Sequence, residues 1–176
     1  MRLASERLIY KKFTHAEFPA YASWYMNEEV MKYITGRALK LEETKVRFAK
    51  AMETNEKYHE VGLFSVKNKD NLTFVGIAKL VYMDELKAEI GYGMLPEFWG
   101  KGYASEILST LVEYAKVVLH LRELIAVVDP DNIASQKVLA KQAFSFLETG
   151  TENNNPAEYY HLLLSEKNPS NNHDSA

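Results

Sequence analysis

Pro96-Glu97-Phe98-Trp99-Gly100-Lys101-Gly102-Tyr103-Ala104-Ser105-Glu106 is the stretch on which the fold turns. Upstream of it, residues 86–95 alternate in the manner of a strand. Downstream, Ala104, Ile107, Leu108, Leu111, Val112, Ala115, Val118 and Leu119 recur at the spacing of an amphipathic helix. Two glycines therefore stand at a strand-to-helix turn, at the mouth of a long helix. Such a turn presents unpaired backbone N–H groups and the positive end of the helix dipole. Glycine removes the Cβ atoms that would hold an anion away from those amides. The turn is read as the seat of a phosphate-bearing cofactor.

Working outward, residues 6–13 read as a first strand. Thr14 with Glu17 three residues on forms a capping box for a helix to about Met26, with Pro19 near its start. Asn27 caps a short helical piece over 28–33, and Gly36 breaks the chain. A helix follows over 41–55, with Val46, Phe48, Ala49 and Met52 as its apolar residues. Residues 58–66 and 72–82 are rich in β-branched and aromatic side chains and flank a polar turn, which predicts an antiparallel hairpin. Asp84-Glu85 leads into the strand over 86–95. Beyond the long helix come a buried-type strand over 122–128, a helix over 132–142 with Ile133, Val138 and Leu139 apolar, and a closing strand pair over 144–151 and 157–164.

The predicted order is β-α-α-β-β-β-α-β-α-β-β. It is an α+β fold with a mixed, mostly antiparallel sheet and helices on both faces. The strand-turn-helix-strand unit around the glycines makes the strands over 86–95 and 122–128 parallel neighbours. Residues 1–164 are read as a single domain and 165–176, rich in Asn and Ser, as a disordered tail.

The 176-residue chain has a formal charge of −3, an ordinary apolar content of 47% and no cysteine. The charge balance gives no basic footprint for nucleic acid. The lack of cysteine excludes thiol nucleophiles, disulfides and thiolate metal sites. The five histidines share no ligand spacing, so no metal is expected. No apolar run suits a membrane span and the N-terminus lacks a signal-peptide core, so a cytoplasmic protein is expected.

Three ligand classes use glycine-rich turns of this kind. A P-loop requires Gly-Lys followed by Ser or Thr, which the order Gly100-Lys101-Gly102-Tyr103 does not supply. A dinucleotide fold requires a third glycine where Ser105 stands, and further βα units that this chain lacks. The third class is coenzyme A. Residues 96–106 closely resemble the acyl-CoA loop of GNAT N-acetyltransferases, in particular the ribosomal-protein-alanine acetyltransferase-like (RimJ/RimL) branch. Two further blocks agree. Asp131-Asn132-Ile133-Ala134-Ser135-Gln136-Lys137-Val138-Leu139 resembles that family's Asn-x-x-Ser helix start, and Glu89-Ile90-Gly91-Tyr92 resembles the strand before its loop. The resemblance runs from about Glu6 to Leu164. It departs from the general pattern in two places, Glu97 in the loop and Ala143-Phe144 where Gly-Phe is usual.

The resemblance implies acetyl transfer from acetyl-CoA to an amine by direct attack. It places the diphosphate on the amides of Gly100 to Ala104, with Lys101, Tyr103 and Ser105 in the same loop. Main chain at Met94 and Leu95 would pair with the pantetheine arm. Glu89 is the implied base, directly or through water, against a plain reading as a solvent-facing strand carboxylate. Ser135 is the implied proton donor to the leaving thiolate, or a support for its own helix turn. Asn132 is an N-cap, a cofactor contact, or both. Lys137 is a candidate CoA-phosphate contact, against a solvated helix lysine. Tyr33 and Arg37 lie on the acceptor side by analogy, near an aromatic and Met cluster at Trp24, Tyr25, Met26 and Met31.

Deprotonation bears on the acceptor. A neutral α-amine costs about 1.4 kcal/mol at pH 7 and a neutral lysine amine nearer 4.6 kcal/mol, so a base matters far more for the second. The acceptor stays open among a protein N-terminus, an amino acid, a polyamine and an aminoglycoside-like amine. Dimers are common in the resembling branch, so a homodimer is compatible with it. The competing class is a non-catalytic module that binds acyl-CoA as a sensor or scaffold. Such a module would keep the glycine turn and lose the base, whereas this sequence has both.

Overall fold

The computed structural model describes residues 3–164. The predicted tail over 165–176 lies outside the described residues. In chain order the elements are β1 (Leu3–Ala4), β2 (Leu8–Lys12), α1 (Phe18–Tyr25), α2 (Glu28–Met31), α3 (Leu41–Lys57), β3 (Gly62–Asn68), β4 (Phe74–Tyr82) and β5 (Lys87–Met94), then α4 (Tyr103–Val117), β6 (Glu123–Val128), α5 (Ile133–Lys141), β7 (Ser145–Glu152) and β8 (Asn155–Leu163). Short 3-10 turns precede α1 at His15–Glu17 and follow β5 at Pro96–Phe98.

The eight strands form one sheet in the order β1-β2-β3-β4-β5-β6-β8-β7. Neighbours are antiparallel except β5 and β6, which run parallel with Lys87 opposite Glu123. That pair is joined by α4, the crossover that the glycine turn begins. Each face of the sheet carries its own core. Ala88, Ile90 and Met94 of β5 point to the side of α4, where Ile107, Leu108, Leu111 and Ala115 are buried against them with Leu124, Val128 and Leu139. The other face holds Phe13, Tyr21, Trp24, Tyr25, Phe48 and Ile77 under α1 to α3. Strand alternation therefore sends Glu89, Gly91 and Gly93 toward α1 to α3.

Several predicted bounds shift, each for a local reason. Helix α3 runs on to Lys57, so the first hairpin strand begins at Gly62 rather than residue 58. The buried stripe of α3 is Thr44, Phe48, Ala51 and Met52, which leaves Val46 on the outer side at 59% exposure. Ile133, at the first turn of α5, likewise faces outward. The structure adds the two-residue strand β1, paired with β2 through Leu3 and Tyr10, ahead of the predicted first strand. Asn27 does cap α2, its Oδ1 accepting from the Val30 N–H at 3.1 Å. The Glu17 carboxylate reaches back to the Thr14 N–H at 3.0 Å, as the predicted capping box requires. Asn153 and Asn154, with φ of 50° and 64°, form the tight turn between β7 and β8, the geometry that Asn adopts most readily.

Candidate active site

Helix α4 begins without a protein cap. Its N-cap residue is Gly102, which has no side chain to offer, and the first helical bond runs from the Glu106 N–H to the Gly102 carbonyl at 3.2 Å. Among the described residues no acceptor meets the amides of residues 100–105. Helix α5 differs: the Asn132 side chain accepts from the Ser135 N–H at 3.1 Å and satisfies that terminus. Gly100 and Gly102 take φ of 70° and 79°, the left-handed region where a Cβ is strained. A Cβ built on Gly100 would meet no protein atom within 4 Å, so the space before the amides is open. A cradle of free N–H groups, a helix dipole and open space fit a diphosphate.

The acidic residue in the first turn, Glu106, is turned away from that cradle. Its Oε1 accepts from the Ser5 hydroxyl at 2.7 Å and from the Arg7 N–H at 2.8 Å. Its Oε2 accepts from the Arg7 Nε at 2.7 Å. The Arg7 Nη1 donates to the Lys101 carbonyl in the glycine turn at 3.0 Å, and the guanidinium lies 4.3 Å over the Tyr103 ring. The hairpin between β1 and β2 thus grips the glycine turn from outside. Burial alone would raise the Glu106 carboxyl, but the Ser5 hydroxyl and the Arg7 N–H and guanidinium outweigh it and hold it below the usual range.

The second half of the site is a gap in the sheet. The register between β5 and β6 ends at Ile90 opposite Ala126. β5 goes on beside β4 as far as Met94 opposite Gly76, and β6 goes on beside β8 as far as Val128. The two parallel strands therefore part at their carboxyl ends, next to the glycine turn, where ligands of such units are expected. Leu95 has no free main-chain group there. Its N–H donates to the Val75 carbonyl at 2.9 Å and its carbonyl accepts from the Phe98 N–H at 3.0 Å. The Met94 carbonyl accepts from the Trp99 indole at 2.9 Å. By strand alternation, the N–H groups facing the gap are those of Tyr92 and Met94.

The gap opens into a cleft of about 200 Å³ that passes from one sheet face to the other. Glu89, Ser135 and Tyr33 all line it, so three of the expected site residues meet there. The Glu89 carboxylate is held by the Lys79 ammonium at 2.5 Å, both partly exposed. Ser135 shares a hydrogen bond with the Tyr92 hydroxyl at 3.1 Å, and burial of that phenol raises its pKa above the usual value. Arg37 is not brought to the cleft. It forms a forked pair with Glu43, at 2.9 and 2.6 Å, which holds that carboxyl down to about 2. Lys137 is exposed on α5, away from the cleft wall.

Sequence reasoning missed four contributors. Tyr92 was legible only as part of a strand motif, and its parity with Glu89 places it on the opposite face. Lys79 is on the neighbouring strand, 10 residues from Glu89. Arg7 is 94 residues from the carbonyl it holds. Arg47, on α3, lines the cleft with nothing local to distinguish it from a solvated helix arginine.

The sequence model of the Acetyltransferase (GNAT) domain matches residues 7–145. The chain belongs to the GNAT family of acetyltransferase enzymes. It is 29% identical over 173 residues to YnaD, an uncharacterised N-acetyltransferase of Bacillus subtilis (strain 168), covering 95% of this chain and 99% of that one. A GNAT-family acetyltransferase from Bacillus anthracis superposes with a TM-score of 0.79 at 26% identity, covering 94% of this chain and 100% of that one. A ribosomal L7/L12 α-N-protein acetyltransferase, RimL, solved with coenzyme A, shares the fold with a TM-score of 0.76 at 17% identity, covering 93% and 98%. The open amides of α4 and the parting of β5 from β6 are thus features of a GNAT domain, whose neighbour binds coenzyme A.

Proposed function

We propose that this enzyme moves an acetyl group from acetyl-CoA to a primary amine by direct attack in a ternary complex, as a single domain over residues 1–164 of a cytoplasmic, RimJ/RimL-like protein. The observation that carries this reading is the uncapped start of α4, whose free amides stand at the mouth of the gap between β5 and β6. The diphosphate rests on the amides of residues 100–105. The pantetheine arm follows the gap-side groups of Tyr92 and Met94 into the cleft. Residues of opposite sheet faces then meet around the thioester.

The amine nitrogen attacks the thioester carbonyl carbon, an N–C bond forms and the C–S bond breaks. Ser135, oriented by Tyr92, gives the proton that the leaving thiolate takes and regains one from water. Glu89 receives the amine proton, directly or through water, with Lys79 fixing its carboxylate on the cleft wall. An α-amine needs this help least, because its neutral form costs about 1.4 kcal/mol at pH 7. Release of free thiol from acetyl-CoA, measured across small amines and peptides of varied first residue, tests the reading. Amine-dependent release is expected. Tight acetyl-CoA binding without release for any amine would contradict it.

A further inference from the structure

The acceptor side of the cleft is lined by Trp24, Tyr25, Tyr33 and Arg47 under the β7–β8 turn at Glu152 to Asn155. Its cations are not equally engaged. Lys79 is neutralised by Glu89 at 2.5 Å. Arg47 has only a long contact from Nη2 to the Asn153 Oδ1 at 3.4 Å and the Tyr25 ring at 5.6 Å. No carboxylate among the described residues pairs with it. Trp24, on the same wall, is 4% exposed, and its Nε1 is buried without an acceptor rather than open to the cleft. A buried indole N–H without a partner is costly, and a guanidinium without a carboxylate leaves its planar fork unused.

Of the cleft's carboxylates, Glu89 is tied to Lys79, and Asp129 accepts one local bond from the Asp131 N–H at 2.8 Å without a cation beside it among the described residues. Glu152 lies on the exposed turn at the rim. A cleft of about 200 Å³ suits a small acceptor.

Resting on the acetyltransferase reading above, we infer that the acceptor is a small amine that carries a carboxylate, of amino-acid size, with Arg47 as the group that selects it. The carboxylate occupies the fork of Arg47, and the amine points down the cleft toward Glu89. Arg47 is a specificity residue and takes no part in the proton transfers.

The probes are free amino acids, their carboxamides, the matching decarboxylated amines, and peptides with acidic residues. Thiol release is measured with each, and calorimetric binding is measured with CoA present. Acids are expected to exceed their amides in kcat/KM by roughly 10- to 100-fold, the range for a charge-assisted pair. Arg47→Gln should erase that preference, and Arg47→Lys should restore part of it. Carboxylate-dependent binding lost in Arg47→Gln without turnover would uphold the inference and contradict the catalytic reading. Turnover indifferent to the carboxylate and to Arg47 would overturn the inference and leave that reading standing. Preference for acidic peptides over free amino acids would overturn the small-acceptor assignment, as would failure of every probe to bind.

Discussion

Arg7 and Glu106, 99 residues apart in the chain, meet at 2.7 Å between the first hairpin and the first turn of α4. The contact does two things. It ties the glycine turn, through the Lys101 carbonyl, to the edge of the sheet. It also neutralises a carboxylate that would otherwise stand one turn from a bound diphosphate. Arg7→Gln is expected to weaken acetyl-CoA binding about tenfold, or about 1.4 kcal/mol, by calorimetry. Binding of S-acetylpantetheine, which lacks the diphosphate, should be unchanged. Equal weakening of both ligands would show general damage to the fold.

The same contact sets a pH dependence. Glu106 is held below its ordinary value in the folded protein, so its contribution to stability is present in full above about pH 4.3. It is lost as the pH falls through the depressed folded value. Glu17, Glu43 and Glu123 are also depressed, by Lys67, Arg37 and Lys87 among other partners, and lose their share in the same direction. The difference between parent and Glu106→Gln isolates the one group. Thermal midpoints of the two should differ most near neutral pH and draw together as the pH falls through the depressed folded value of Glu106. A gap that stays constant with pH would contradict the assignment.

The cradle was legible in the sequence because it is local. Gly100, Gly102 and the helical period after Ala104 lie within one stretch, and the groups proposed to bind are backbone amides. The strand and helix order was legible for the same reason, as hydrophobic period is a local signal. What the sequence did not show depends on parity and on distant contact. Tyr92 and Glu89 are three residues apart, yet alternation sends one to α5 and the other to Lys79 on β4. Arg37 and Arg47 look alike as isolated arginines. Only the turn of α3 and the proximity of Glu43 send one to a salt bridge and the other to the cleft.

Ser135 and Tyr92 share a hydrogen bond at 3.1 Å and should act as a unit. Ser135→Ala is expected to lower kcat about 100-fold, in the range of a lost general acid, with little change in acetyl-CoA affinity. Tyr92→Phe should cost less, and the double variant should be no slower than Ser135→Ala alone. Strictly additive losses in steady-state kinetics would separate the two residues.

Gly93 is where α1 presses on β5. A Cβ there would stand 2.3 Å from the Trp24 Cζ2, so any side chain must displace the indole that walls the cleft. Gly93→Ala should destabilise the protein by about 1–3 kcal/mol, the usual cost of overpacking. That corresponds to a fall of several degrees in the melting midpoint by scanning calorimetry. An unchanged midpoint would mean the wall gives way freely.

The central claim is that the free amides at the start of α4 hold the diphosphate of acetyl-CoA. Gly100 tests it best, because a side chain there meets no protein atom within 4 Å and enters the space assigned to the ligand. The φ of 70° adds strain of roughly 1–2 kcal/mol to the fold, which circular dichroism and a melting curve will measure separately. Titration calorimetry of Gly100→Glu with acetyl-CoA is the direct measurement. Gly100→Glu should stay folded while its acetyl-CoA affinity falls more than 100-fold; a folded variant that binds as tightly as the parent would rule out the amides of α4 as the diphosphate seat.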